Sequence, residues 1–322
     1  MAAPDPHQVE PYAVRLSPIL KPKVWGGRRL AEWGRPLPAG EPIGESWEIA
    51  DLAQTAASGG GGDAARSIIA NGPLAGTSLS EALSLWGDAA LGSAWLSDDG
   101  GFPLLVKLLD AQQELSVQVH PSPAYASADP EAHLKAECWY VLEATPAPDG
   151  SPAAIYAGLA DGVDADELFA RIAADEPGAV PAALRRIEVA PGEMYFLPSG
   201  TVHALGAGVL VAEVQTPSDT TFRVYDWAHE HGRVGRELHI EQARACLLED
   251  ACAIKTVAGD EPLVASDEFT VELLPAGEPL EPADRVRAVL ACARGRTEAW
   301  VVPAGIGREP FHVDALVATP MR

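Results

Sequence analysis

The chain has 322 residues, a formal net charge of −23, 47% hydrophobic residues and only 6% aromatic ones. That length supports a full hydrophobic core and more than one compact unit. The acidic balance argues against nucleic acid as a partner, since phosphate binding needs a basic face, and no apolar run approaches the length of a membrane span.

From the N-terminus, residues 1–10 are polar and acidic, without the basic and apolar regions of a secretory leader, so a cytoplasmic protein is expected. Residues 56–65 contain four consecutive glycines and read as a surface loop. They do not read as a phosphate cradle, which needs a strand before and a helix N-terminus after. Leu79, Ala82, Leu83, Leu85 and Trp86 have helical spacing within 78–96, with Ser78 or Ser80 as cap. A second helix is predicted from Asp164 to Ala174, the insertion running on to 186, and a third over 240–248. Between the helices, strands are predicted at 104–109, 115–120, 139–142, 194–197, 209–214 and 221–225, and again at 269–274, 286–291 and 299–302. The expected fold is mainly β, a sandwich or barrel with inserted helices. Residues 1–250 would form the catalytic unit and 251–322 a smaller β unit. Cys138, Cys246, Cys252 and Cys292 are too scattered for a disulfide framework and read as reduced thiols.

Three segments carry chemistry. In Leu115-Ser116-Val117-Gln118-Val119-His120-Pro121, alternation puts Ser116, Gln118 and His120 on one strand face, opposite three aliphatic residues. Gln118 and His120 then offer an oxygen and a nitrogen donor to one point. Glu137 enters an otherwise apolar and aromatic strand, where a charge is costly unless it is paired or bound to a metal. Residues 192–203 have the form G-x5-P-x-G-x2-H, two glycines and a proline bending the chain to deliver His203. Lysine is rare, only Lys21, Lys23, Lys107, Lys135 and Lys255, yet Lys107 interrupts an apolar strand and Lys135 stands two residues before Glu137. A role in the site and a lysine snorkelling from a strand edge both remain open for these two.

The G-x5-P-x-G-x2-H segment resembles the second signature motif of the cupin superfamily, whose jelly-roll barrels hold a metal inside. With Gln118 before His120, and Glu137 well beyond both, the chain resembles more closely the type I phosphomannose isomerases. Leu20-Lys21-Pro22-Lys23-Val24-Trp25-Gly26-Gly27, Gly44-Glu45-Ser46-Trp47-Glu48 and Ser218-Asp219-Thr220-Thr221-Phe222-Arg223-Val224-Tyr225-Asp226 are similar to landmarks of that family, and the likeness extends to about Leu248.

The resemblance implies cupin jelly-roll barrels, a second, cupin-like one after residue 250, and one divalent metal, zinc, on Gln118, His120, Glu137 and His203. It implies an aldose–ketose isomerase acting on a hexose 6-phosphate, commonly monomeric. Arg223, Lys135 and Glu213 would be catalytic, and Lys107 and Ser116 would contact the phosphate end. Arg223 and Glu213 can each be read instead as members of structural ion pairs. A non-catalytic sugar-phosphate-binding cupin and another metal-dependent cupin enzyme stand as alternatives.

Overall fold

Side-chain alternation decides the layers. Along Val209–Gln215, Leu210, Ala212 and Val214 turn into one apolar core, while Val209 and Val211 turn into another beside Glu213 and Gln215. Leu105–Asp110 does the same, Val106 and Leu108 opposing Lys107 and Leu109. The computed structural model describes residues 9–56, 61–129, 132–147 and 150–321. Among these, the strands form two seven-stranded sheets, a five-stranded sheet and a two-stranded ribbon.

The first seven-stranded sheet runs, in spatial order, Ile254–Val257, Glu193–Leu197, Glu137–Ala144, Val209–Gln215, Leu105–Asp110, Ile43–Ile49 and Ile19–Gly27. Against it lies the five-stranded sheet of Leu184–Glu188, Ala154–Leu159, His203–Leu205, Val117–Val119 and Phe222–Tyr225. Both contribute to one core, with Leu109, Trp139, Val141 and Val211 from the first and Ile155, Ala157 and Leu205 from the second. The described pairings are antiparallel, and the two sheets close a cupin jelly roll. The second seven-stranded sheet includes Phe269–Leu274, Ala315–Pro320, Arg287–Ala293, Arg296–Val302 and, from the chain's start, Val14–Ser17. It packs on the back of the first through Leu16, Leu290, Val301 and Leu316 against Val106, Leu108, Ala212 and Val214. We propose the division at residue 250 as one of chain order, because strands are exchanged across it: Val14–Ser17 pairs with Arg296–Val302, and Ile254–Val257 with Glu193–Leu197.

Helices cover the outside. Ser78 closes a capping box with Glu81 over Leu79–Trp86, but Gly87 (φ 52°) breaks the predicted 78–96 helix, which resumes as Asp88–Leu91. Asp164 caps Ala165–Ala174, which packs with Ile240–Cys246 on the outer face of the five-stranded sheet. The insertion is α-helical only to Ala174. Residues 184–188 continue as a strand paired with Ala154–Leu159, following prolines that deny the helix two N–H donors. Part of the 56–65 glycine run lies outside the described residues. No described helix is long and apolar enough to cross a membrane.

Candidate metal centre and cleft

The site lies between rows of inward residues that strand register lines up. Across the seven-stranded sheet, Trp47, Lys107, Glu213 and Trp139 are successive register partners, and Gln215 and Glu137 form the next row. Across the five-stranded sheet, His203 is paired with Gln118, and Gln118 with Arg223. Glu137 thus approaches from one wall, and Gln118, His120 and His203 from the other. Residues 198–203 make this possible. Gly200 has φ 85°, and a Cβ there would lie 2.7 Å from Leu248 Cγ, so this turn admits only glycine comfortably. Thr201 Oγ1 donates to Pro198 O at 2.7 Å, and Ser199 Oγ to Lys135 O at 2.8 Å, tying the His203 turn to the Glu137 strand.

His120, Glu137 and His203 are buried, and one donor atom from each lies within 4.8 Å of the others. His203 Nδ1 donates to Thr201 O at 2.8 Å and His120 Nδ1 to Thr220 O at 3.0 Å. A carbonyl can only accept, so both protons sit on Nδ1 and both Nε2 atoms present bare lone pairs. Those lone pairs point at Glu137: His120 Nε2 is 3.3 Å from Oε2 and His203 Nε2 is 3.2 Å from Oε1. His120 Nε2 and both Glu137 oxygens are buried without a hydrogen bond. Lone pairs converging in a buried space repel unless a cation lies between them. Burial, with Lys135 behind it, takes the His120 pKa down to about 3, keeping the imidazole neutral as a ligand must be. Burial pushes the Glu137 carboxyl up, but Lys135, 3.0 Å away, together with His120 and His203 holds the group well below the usual range. Gln118 Nε2 lies 3.1 Å from His203 Nε2, and the same amide turned over presents its oxygen there. Two imidazoles, a carboxylate and an amide oxygen form a donor set that fits one divalent metal.

Above the centre opens a cleft of about 510 Å³ lined by Ser116, Gln118, Lys135, Lys107, Glu213 and Arg223, among others. The structure therefore brings all nine residues singled out in the sequence to one place. Lys107 and Glu213 are paired with each other at 2.9 Å, and Lys107 also donates to Gln215 at 2.6 Å. Burial would lower the Lys107 pKa, but Glu213 and Glu45 outweigh it and raise it above the ordinary value. Trp139 Nε1 donates to the other Glu213 oxygen at 2.9 Å. Arg223 donates to Glu237 O at 2.8 Å, and burial, then the charge of Arg236, brings its pKa down to about 10.

Sequence reasoning missed Glu45, Trp47, Arg236 and His239, which also line the cleft. Glu45 had a signal, a carboxylate on a strand of buried neighbours. Arg236 and His239 lie outside regular strands and had none. His239 accepts from Arg223 N at 3.3 Å through Nδ1. His229 and His231 pair with Asp175 and Glu114.

Residues 13–145 match the phosphomannose isomerase type I catalytic domain. YvyI of Bacillus subtilis (strain 168), classed with the mannose-6-phosphate isomerases, is 35% identical over 268 residues, 82% of this chain and 76% of YvyI. The chain belongs to the type I phosphomannose isomerase family. Mannose-6-phosphate isomerase ManA of the same organism is 38% identical over 71% of this chain, and the match spans 65% of ManA, just under two thirds. The crystal structure of the mannose 6-phosphate isomerase from Bacillus subtilis superposes with a TM-score of 0.73 at 28% identity, covering 96% of this chain and 99% of that chain.

Proposed function

We propose that the protein is a metal-dependent aldose–ketose isomerase interconverting mannose 6-phosphate and fructose 6-phosphate. The observation that carries this reading is the buried convergence of donor atoms from His120, Glu137 and His203, those of His120 and Glu137 without hydrogen bonds, at the foot of a cleft rich in cations. Membership of the family supplies the sugar. Gln118, His120, Glu137 and His203 would hold one zinc ion, which fits nitrogen and oxygen donors. When bound, the ion supplies Lewis-acid polarisation of the sugar's oxygens.

The chain's own residues do the rest. The aldose loses a proton from C2, passes through an enediol and gains a proton at C1, so no external oxidant or reductant is needed. We assign the carbon proton to Glu213, whose carboxylate is oriented by Trp139 and Lys107. Lys135 is assigned proton transfer at the sugar oxygens beside Glu137. Arg223 stabilises the developing enediolate charge. Lys107 and Ser116, which the resemblance puts at the phosphate end, we assign instead to the sugar along the cleft wall, because Lys107 is engaged by Glu213 and Gln215. The four cysteines are free, consistent with a reducing cytoplasm, and we take the working unit to be a monomer.

The test is turnover of mannose 6-phosphate, followed by coupling fructose 6-phosphate to a nicotinamide signal, before and after chelation. Activity lost to chelator and restored by zinc is expected. No turnover by fully metallated protein overturns the reading in favour of a binding role or another phosphosugar.

A further inference from the structure

One rim of the cleft is built around a buried carboxylate. Asp226 accepts from Arg233 Nη1 at 2.6 Å, from the backbone N–H of Arg236 at 2.8 Å, from Arg236 Nε at 2.9 Å, and from Arg236 Nη2. Arg223 Nε lies 3.9 Å from the same carboxylate. Three guanidiniums therefore share one Asp, leaving the rim with excess positive charge in partial burial. The crowding registers at Arg223, whose pKa burial and then the Arg236 charge bring down.

The cleft's other cations are already engaged: Lys107 with Glu213 and Gln215, Lys23 with Glu45 at 3.1 Å, and Lys135 with Glu137. Arg236 differs. Its Nε and Nη2 are locked onto Asp226, whereas Nη1 takes no protein partner among the described residues, and the side chain, 30% exposed, lines the cleft. A guanidinium held by one edge offers its remaining donors in a fixed direction, the geometry that phosphate oxygens suit. The position also fits a substrate that spans the cleft. His203, Gln118 and Arg223 follow one another at the strand spacing of about 4.8 Å, and the segment after Arg236 runs along the open side of that edge strand, His239 N–H donating to Arg223 O at 2.7 Å.

We propose that Arg236, positioned by Asp226, binds the phosphate group of the sugar phosphate at the outer end of the cleft. The identity of the sugar rests on the isomerase reading, but the phosphomonoester does not. The consequence is a division of labour in which Arg236 supplies affinity and Arg223 faces the reacting carbons.

The test uses a hexitol 6-phosphate, which has no carbonyl and cannot isomerise, and the same hexitol without phosphate. Calorimetry on zinc-loaded wild type is expected to show preference for the phosphorylated hexitol. In Arg236→Ala that preference falls by about tenfold or more, the worth of a charge-assisted hydrogen bond, while binding of the plain hexitol and zinc content stay the same. Arg236→Lys, which keeps the charge without the fork, is expected to recover part of the preference and carries the comparison if the Ala variant does not fold. Wild type without preference for the phosphate, or variants that keep the full preference, overturn the proposal. Wild type that prefers the phosphate but does not turn over mannose 6-phosphate overturns the isomerase reading alone.

Discussion

The barrel interior and the C-terminal sheet are built on the same antiparallel alternation and end in opposite chemistry. Inside the barrel, strands that should bury aliphatic residues bury Lys107, Glu137, His203, Glu213 and Gln215. After residue 250, the buried polar residues among those described are Arg287 and Thr297, each spent on backbone carbonyls. Both faces of that sheet meet apolar cores. Burying a polar side chain without full pairing costs on the order of 1–3 kcal/mol. A barrel that buries His120 Nε2 and both Glu137 oxygens without hydrogen bonds, with Lys135 as the ion-pair partner of Glu137 outside the imidazoles, therefore holds strain that a bound cation relieves. In the C-terminal sheet the buried atoms left without a hydrogen bond, Arg287 Nε and Trp300 Nε1, are isolated donors that no cation could relieve, and that sheet serves as a wall.

That contrast breaks first at the centre itself. His203→Ala removes one donor and leaves Glu137 facing a single imidazole. Turnover of mannose 6-phosphate should fall about a thousandfold or more, with zinc content falling too, since the metal's contribution is several kcal/mol. Normal metal content with normal turnover would remove His203 from the ligand set. A smaller loss is expected from Arg223→Lys, which keeps the charge but gives up the donor to Glu237 O. The expected cost is about a hundredfold in kcat with zinc retained. A change confined to KM would instead assign Arg223 to substrate affinity.

Glu45 sharpens the comparison through pH. Burial pushes its carboxyl up, but Lys23 and Lys107 outweigh burial and bring it from 4.5 down to about 2. A carboxyl whose folded pKa is depressed stabilises the fold fully above its unfolded pKa, and loses that contribution as pH falls from about 4.5 toward 2. The amount is on the order of 3 kcal/mol. Urea unfolding of the metal-free protein should lose stability across that window, and Glu45→Gln should start less stable at pH 6 and decline less. Parallel curves would show that Glu45 does not carry the acid sensitivity.

Much of this was legible in the sequence, and what escaped did so for physical reasons. Period-two alternation exposed the strand carrying Gln118, because an apolar face fixes the direction of every second side chain, whereas the strands carrying Lys107 and Glu213 showed only as short apolar or β-branched runs. Ile19–Gly27 was read as a landmark of the family but not as a strand, since Lys21, Pro22 and Lys23 interrupt the pattern. It is an edge strand, where a missing N–H is tolerated. Gly87 lies inside the predicted 78–96 helix, and its positive φ makes it a break. Arg236 stands where the family likeness closes, 236–240, but was given no role. Its partner Asp226 is ten residues away in a loop, and no periodicity links such a pair.

The smallest effect on turnover should come from the far wall. Leu290 is 2% exposed and pairs in register with Leu316 and Ala299. Leu290→Ala should cost about 2–5 kcal/mol of stability through lost burial and the cavity left behind. The same core touches the backs of the strands that line the cleft at Leu108, Cys138, Ala212 and Val214, so the cavity opens one layer from Lys107, Glu137 and Glu213. Whether it reaches them depends on what fixes those strands. Their register is held by backbone pairing on both sides, Val209–Gln215 lying between Glu137–Ala144 and Leu105–Asp110. Relaxation into the cavity can then move side chains on the outer face without shifting the inner one. The variant should therefore melt earlier while kcat and KM, measured well below its melting temperature, stay within about twofold of wild type. A tenfold fall in kcat with zinc still bound would mean that the apolar wall tensions the active row, and that the two regions are one mechanical unit.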